Sequence, residues 1–296
     1  QESTFVALRN LVDEAILHGV DFVILAGDAF DHENRSIKAQ IRLTRELERL
    51  ESEGIQVFLV FGNHDYMSGN FVHIDMPKNV HVFPETVEMK KLETSQGAIV
   101  HLYGFSYPVR HVIERKIDDY QKQPGADFHI GILHGNLEGQ MDHGNYAPFQ
   151  LKDLLKKDFH YWALGHIHKR TVLSEDPYIV YPGNIQGRNK KELGPKGCYL
   201  VTLSQASSQL EFIETNDIVW TELNIDGDGI SSFHHLYLYT KERLENERIE
   251  GKGKLVRIGM SHLSLEKNEI NLQTIDELLE TLQEEELEQE SFVWPF

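Results

Sequence analysis

Phe22-Val23-Ile24-Leu25-Ala26-Gly27-Asp28-Ala29-Phe30-Asp31 is the stretch from which the fold can be read. A short continuous apolar run that stops at Gly-Asp has the form of a buried strand followed by a sharp turn. The same grammar returns further on, where Ile55–Val60 leads into Gly62-Asn63-His64-Asp65. Helical spacing surrounds both runs. Phe5, Leu8, Val12, Ala15 and Ile16 follow a candidate N-cap at Ser3 and stop at Gly19. A second helix is predicted over Ser36–Glu53, with Ile37, Ile41, Thr44, Leu47 and Leu50 on one face and Gly54 as its stop. Strand, helix, strand in this order predicts a parallel sheet. Such a domain usually opens with a strand, whereas this chain opens with a helix, so a further strand and loop are expected upstream of Gln1.

Outward from this core, strands are predicted at Ile99–Tyr103, His129–Leu133, Tyr161–Leu164, Tyr178–Tyr181 and Cys198–Leu203. The polar stretch Ser204–Gln209 has the composition of a hairpin turn or a domain edge. Strands near Leu210–Glu214 and Ile218–Ile225 follow it. A helix near Ser232–Glu247, a strand near Lys254–Met260 and a helix near Ile275–Glu288 complete a small second α/β domain. The expected division is 1–204 and 210–296.

Charge is uneven along the chain. Of the net −18, residues 1–204 carry 22 basic and 27 acidic side chains, and residues 205–296 carry 7 and 20. Neutralising phosphates needs Lys and Arg, so a nucleic acid would have to be held by a local basic patch or by a partner. The apolar fraction of 40% is that of a globular protein, and no run approaches the length of a transmembrane helix. The single cysteine, Cys198, excludes an internal disulfide and accords with a cytoplasmic location.

Four polar motifs sit where predicted strands end: Gly27-Asp28-Ala29-Phe30-Asp31, Gly62-Asn63-His64-Asp65, His134-Gly135 and Gly165-His166-Ile167-His168. Parallel strands of one sheet present their carboxyl ends along one edge, where ligands bind. Asp28, Asn63, His64, His134, His166 and His168 are therefore expected to converge. Oxygen from Asp and Asn with nitrogen from His suits Mn, Fe or Zn better than an all-oxygen Mg or Ca cage. Two such ions about 3.5–4 Å apart can clamp an in-line phosphoryl displacement.

The motif order resembles the calcineurin-like metallophosphoesterases, whose pattern has five blocks: Asp-x-His, Gly-Asp-x-x-Asp, Gly-Asn-His-Asp, a His followed by Gly, and Gly-His-x-His. Four are present, over about residues 1–204. The spacing, and the text Tyr161-Trp162-Ala163-Leu164-Gly165-His166-Ile167-His168-Lys169, are similar to the SbcD-type DNA repair nuclease branch and, within it, to the YhaO-like bacterial exonucleases. The resemblance implies a four-layer αββα sandwich with a small C-terminal α/β capping domain. It implies two divalent ions, with Mn2+ foremost. Asp28 would bridge them, Asn63, His134 and His166 would hold one, and His168 would hold the other with the Asp and His of the absent first block. It implies in-line attack on phosphorus by a hydroxide carried on the metals. His64 would protonate or stabilise the leaving oxygen, Asp65 would orient His64, and Asp31 would support the metal shell. The partners it implies are DNA ends, an SbcC-type SMC-like ATPase and, as an open question, a second copy of the chain.

Two other Asp-x-His strings, Asp127-Phe128-His129 and Asp158-Phe159-His160, are poor substitutes for the absent block. Both lie at the start of a strand, and His129 is five residues before His134, about 16 Å away at ~3.3 Å per residue. His143, in the loop Asn136–Pro148 with Tyr146, is a candidate substrate contact, and so are Arg35, Lys169, Arg170 and Arg188. Histidines outside the motifs, such as His101 and His160, are expected on the surface or as satisfied core residues. Phe292–Phe296 is expected to be packed or cut from a longer chain, with docking to a partner as the lesser alternative. Two other readings stay open: a nucleotidase or phosphatase on the same fold, and a scaffold without catalysis.

Overall fold

The computed structural model describes residues 2–30, 36–68, 74–139, 144–263 and 271–296. In chain order the elements are α1 (Glu2–Leu17), β1 (Phe22–Ala26), α2 (Ile37–Ser52), β2 (Gln56–Val60), β3 (Val80–Val82), β4 (Glu88–Glu93), β5 (Ile99–Gly104), β6 (Phe128–His134), α3 (Leu151–Lys156), β7 (Tyr161–Gly165), β8 (Thr171–Glu175), β9 (Tyr178–Tyr181), β10 (Gly197–Leu203), β11 (Ser208–Glu214), β12 (Ile218–Asp226), α4 (Phe233–Glu245), β13 (Gly253–Ser261), α5 (Leu272–Glu286) and β14 (Val293–Pro295). A 3-10 turn at Lys116–Asp119 precedes β6. The chain divides into two compact units. One holds Leu8–Asn184 and Gly197–Ile213, the other Gln1–Ala7, Ile185–Lys196 and Glu214–Phe296. The polar stretch after β10 is the turn into β11, closed by the Ser204 N–H on the Ser207 carbonyl at 2.9 Å, and it lies inside the first unit.

Among the described residues three sheets carry the first unit, two of them stacked and the third the β10–β11 pair. β1, β2 and β3 pair in parallel, with Phe22 opposite Gln56 and Val57 opposite Val80. The larger sheet runs β4-β5-β6-β7-β9-β8; β5, β6, β7 and β9 are mutually parallel, and β4 and β8 join antiparallel at its edges. Side chains of a strand alternate between faces, and the large sheet separates two cores in this way. Val100, Leu102, Ile130, Ile132, Tyr161, Ala163 and Val180 face Phe58 and Val60 of the smaller sheet and Phe83, the residue after β3. Tyr199, Val201, Leu203 and Leu210 of the β10–β11 pair close the same core. Leu133, Trp162, Leu164, Ile179 and Tyr181 point the other way, onto Tyr107, Tyr120, Phe149 and Leu154. α2 buries Leu43, Leu47 and Leu50, one side of the helix at 3- to 4-residue spacing. Its N-terminus is capped by Ser36, whose Oγ accepts the Ala39 N–H at 3.1 Å. Helices, small sheet, large sheet and the layer that carries α3 form the αββα arrangement. The strands β3, β4 and β8, too short or too polar to show as apolar runs, are additions to the sequence reading.

The second unit is a parallel sheet in the order β12-β13-β14, with Ile218 opposite Gly253 and Lys254 opposite Val293. Leu223, Ile225 and Val256 pack on Leu236 and Leu244 of α4 and on Leu278 and Leu282 of α5. Val293–Pro295, expected to pack or to dock a partner, is strand β14 of this sheet, and Val293 is fully buried in its core.

Candidate metal centre

Four strand ends supply the centre, and they come from both sheets. Gly27-Asp28 follows β1 and Gly62-Asn63-His64-Asp65 follows β2 in the smaller sheet. His134 closes β6 in the larger sheet, where it is paired with Gly165 at the end of β7. The expectation of one sheet edge is thus corrected. The carboxyl ends of two stacked sheets point the same way, and the site lies across the seam between them.

Ligand atoms of Asp28, His134 and His166 lie within 4.8 Å of one another. Asn63, 3% exposed, joins them: its Oδ1 is 2.9 Å from His134 Nε2 and 3.0 Å from His166 Nδ1. His134 is fully buried, and its Nδ1 donates to the Ala26 carbonyl at 2.8 Å. That bond turns Nε2 toward two oxygens, Asn63 Oδ1 and Asp28 Oδ2, the latter at 3.3 Å. Either a proton or a cation between them satisfies the arrangement. A ring whose second nitrogen is tied to a backbone carbonyl is the usual state of a metal-ligating histidine. One carboxylate, one amide oxygen and two imidazoles suit a borderline divalent cation, so these residues fit a metal.

The backbone makes the convergence close. A Cβ on Gly62 would come within 2.7 Å of His134 Nε2 and overlap Asp28 Oδ1. A Cβ on Gly165 would fall on the Ala26 carbonyl. Asp28 (φ 54°) and His166 (φ 96°) occupy the left-handed region without being glycine, a cost of about 1–3 kcal/mol each that surrounding structure must hold in place.

Asp65 is fully buried and binds the two loops of the smaller sheet together. Its Oδ1 accepts the N–H of Gly62 at 2.6 Å and of Asp28 at 3.2 Å, and its Oδ2 accepts that of Ala29 at 2.8 Å. The half-buried His64 donates its backbone N–H to Asp28 Oδ1 at 2.9 Å. Burial by itself would raise the Asp28 pKa. The adjacent His134 and the His64 N–H outweigh it and hold the carboxyl well below the usual range. Burial likewise opposes charge on His134, yet the Asp28 carboxylate pulls its pKa above that of a free imidazole.

His168 is exposed, and its carbonyl accepts the Asn184 N–H at 3.3 Å. Lys169 is exposed, and the Arg170 guanidinium lies 3.7 Å above the Phe212 ring. Arg188 belongs to the second unit, where its N–H meets the Glu192 carboxylate at 2.7 Å. Asp31, Arg35 and His143 lie outside the described residues. Three tyrosines support the site and carried no motif of their own. Tyr107 donates to the His134 carbonyl at 2.9 Å and Tyr181 to that of Gly135 at 2.7 Å. Tyr146 lies against His166, with ring centroids 4.7 Å apart. His129 is 4% exposed between His101 and His160, with its Nδ1 3.0 Å from the Tyr103 hydroxyl. His101 is buried there with no hydrogen-bond partner on its Nδ1, contrary to the expectation of a satisfied core histidine.

Comparison with known proteins agrees with the geometry. The metallophosphoesterase YhaO of Bacillus subtilis, itself uncharacterised, is 42% identical over all of this chain and 73% of its own length. The DNA double-strand break repair protein Mre11 of Sulfurisphaera tokodaii is 30% identical over 69% of this chain and 54% of its own. That of Thermoplasma acidophilum is 24% identical over 88% of this chain and 70% of its own. The profile of the calcineurin-like phosphoesterases matches residues 1–170. The chain belongs to the calcineurin-like phosphoesterase family.

Proposed function

We propose that this chain is the nuclease part of a DNA repair phosphodiesterase of the SbcD type, acting on DNA ends with an SbcC-type ATPase. The observation that carries the reading is the cluster of Asp28, His134 and His166 completed by Asn63. The Mre11 relatives supply the substrate class. Residues 1–204 are the proposed nuclease domain and 210–296 the cap, in a cytoplasmic protein. Among the described residues, no helix is long and apolar enough to cross a membrane.

Asp28, Asn63, His134 and His166 would hold one divalent ion, Mn2+ in this proposal, and His168 belongs to a second. Such ions supply Lewis acidity toward phosphoryl oxygens. The chain's own residues do the rest. Asn63 and His134 orient each other, Asp65 holds the Asp28 and Asn63 loops at fixed separation, and His64 delivers a proton to the leaving oxygen. The net −18 leaves little cationic surface for DNA, so the chain alone binds duplex weakly and the ATPase supplies the missing cations.

The test offers the chain with Mn2+ three substrates: linear duplex, single-stranded DNA and bis(p-nitrophenyl) phosphate. The duplex assay is repeated with the ATPase. Cleavage of the chromogenic diester, and of DNA ends once the partner is present, is expected, at a rate lowered because the Asp-x-His block that would complete the second ion is not in this chain. Diester cleavage with no attack on DNA under either condition moves the assignment to another phosphoesterase of the family. Submicromolar duplex binding by the chain alone at physiological salt refutes the electrostatic argument.

A further inference from the structure

His166 needs help to keep its ring in place. Its backbone is left-handed at φ 96°, a conformation that persists only where neighbours over-determine it. Asn63 Oδ1 meets its Nδ1 at 3.0 Å, and the His134 ring packs edge-on at 5.3 Å. A further contact is the Tyr146 ring, 4.7 Å away and tilted by 39°.

Tyr146 belongs to no helix or strand, so its position is set by the ends of its loop. It exchanges two bonds with the fully buried Asn136: Tyr146 N–H to Asn136 Oδ1 at 2.8 Å, and Asn136 N–H to the Tyr146 carbonyl at 3.0 Å. Asn136 follows two residues after His134 in sequence. Next to Tyr146, the Ala147 N–H meets the Val112 carbonyl at 2.6 Å. At the neck of the loop the Glu138 N–H donates to the Phe149 carbonyl at 2.9 Å. There Arg115 spans the two sides. Its guanidinium bonds the Glu138 carboxylate and, at 2.6 Å, Asp153 Oδ2. Gln150 completes the ring, its amide on Glu138 and its backbone N–H on Asp153 Oδ2 at 3.0 Å. A single half-exposed ion pair is worth little, but one guanidinium joining both ends of a loop through two carboxylates is a network with fixed geometry.

We propose that Arg115 is a positioning residue for the metal centre: by clasping Glu138 and Asp153 it holds Tyr146 against His166 and so sets the direction of that ligand's ring. The proposal rests on the metal-binding reading of the Asp28, Asn63, His134 and His166 cluster. The clasp touches no ligand itself. Its effect travels through Asn136 and Tyr146, and groups that support a ligand from behind typically change metal affinity by about 10–100-fold.

The experiment is calorimetric Mn2+ titration of the chain, with the imidazole resonances of His166 followed by NMR in the metal-free protein. Arg115→Ala and Tyr146→Ala should each weaken Mn2+ binding about tenfold, and both should shift the His166 resonances before any metal is added. Tyr146→Phe, which keeps the ring, should stay within about threefold of the parent, and Arg115→Lys, which keeps the charge but not the fork that reaches both carboxylates, should fall between the parent and Arg115→Ala. Glu138→Gln, a milder break in the same clasp, should fall between. If the two alanine changes act along one path, the double variant is no weaker than Tyr146→Ala alone. Additive losses, or parent-like binding with unmoved His166 resonances in Arg115→Ala and Glu138→Gln, overturn the proposal. Parent chain that binds Mn2+ and loses it in His166→Ala, but not in Arg115→Ala, sinks the clasp alone. A parent chain that binds no Mn2+ sinks the metal-site reading with it.

Discussion

Replacing Asp65 by Ala removes the acceptor that three backbone N–H groups share, from Gly62, Asp28 and Ala29. Their surroundings differ, and the cost follows the difference. Gly62 is buried, so its N–H is left without water, at about 2–3 kcal/mol. Asp28 is half-buried and loses a longer bond, about 1–2 kcal/mol. Ala29 is exposed and finds water at almost no cost. The sum is about 4 kcal/mol, a large part of the roughly 5–15 kcal/mol that stabilises a typical domain. Asp65→Asn should cost about half as much: its amide oxygen can keep Gly62 and Asp28, and only its NH2 opposes the exposed Ala29 N–H. Urea unfolding followed through the buried Trp162, in a background with Trp220 and Trp294 changed to Phe, reports on this unit. Mn2+ affinity should fall with stability, because the same carboxylate spaces the Asp28 and Asn63 loops. Asp65→Ala within 1 kcal/mol of the parent, or Asp65→Asn no more stable than Asp65→Ala, would refute the reasoning that Asp65 acts on the loop backbones.

Three further outcomes are expected. His64→Ala should lower phosphodiester cleavage by about 10²–10⁴-fold with Mn2+ binding retained, whereas His166→Ala loses both; equal loss of Mn2+ in calorimetry would show that His64 is a ligand. Gly62→Ala should abolish Mn2+ binding and also lower stability, since its Cβ collides with Asp28 and the fully buried His134 at the centre itself; unchanged affinity would mean the cluster is not where the ion sits. Burial, with Lys122, His101 and His160 nearby, pushes His129 down to about 4, so between pH 6.5 and 4 the unfolded chain holds the extra proton and stability falls as pH falls. The full effect is about 3 kcal/mol, complete only below pH 4. His129→Phe should flatten the fall in urea midpoint over that window, and an unaltered slope would place the titration elsewhere.

The local pattern of this chain already carried much of the fold. Apolar runs such as Val57–Val60 and Tyr161–Leu164 declare themselves as buried strands because both faces of a central parallel strand lie in core, so no polar alternation masks them; Phe22–Ala26 is equally apolar but is a half-buried edge strand. Edge strands such as Glu88–Glu93 and Thr171–Glu175 have one face in solvent, and their mixed composition does not separate them from loop. The donor chemistry was legible for a similar reason: Asp28, Asn63, His134 and His166 each follow a strand end, and ligand types are a property of side chains. Distance is not. That two sheets stack with their carboxyl ends together, and that Asn63 Oδ1 comes to about 3 Å from two imidazoles contributed by the other sheet, are consequences of packing across the inter-sheet core. Asp65 illustrates the limit. Its place in a motif suggested a partner for the neighbouring His64, but no motif could show that folding also brings the Gly62, Asp28 and Ala29 amides onto its carboxylate, two of them from a segment more than thirty residues away. Tyr107, Tyr146 and Tyr181 carry no motif because any buried tyrosine must find an acceptor or a packing partner. Only the tertiary structure decides that these three find theirs on the loops of the metal centre.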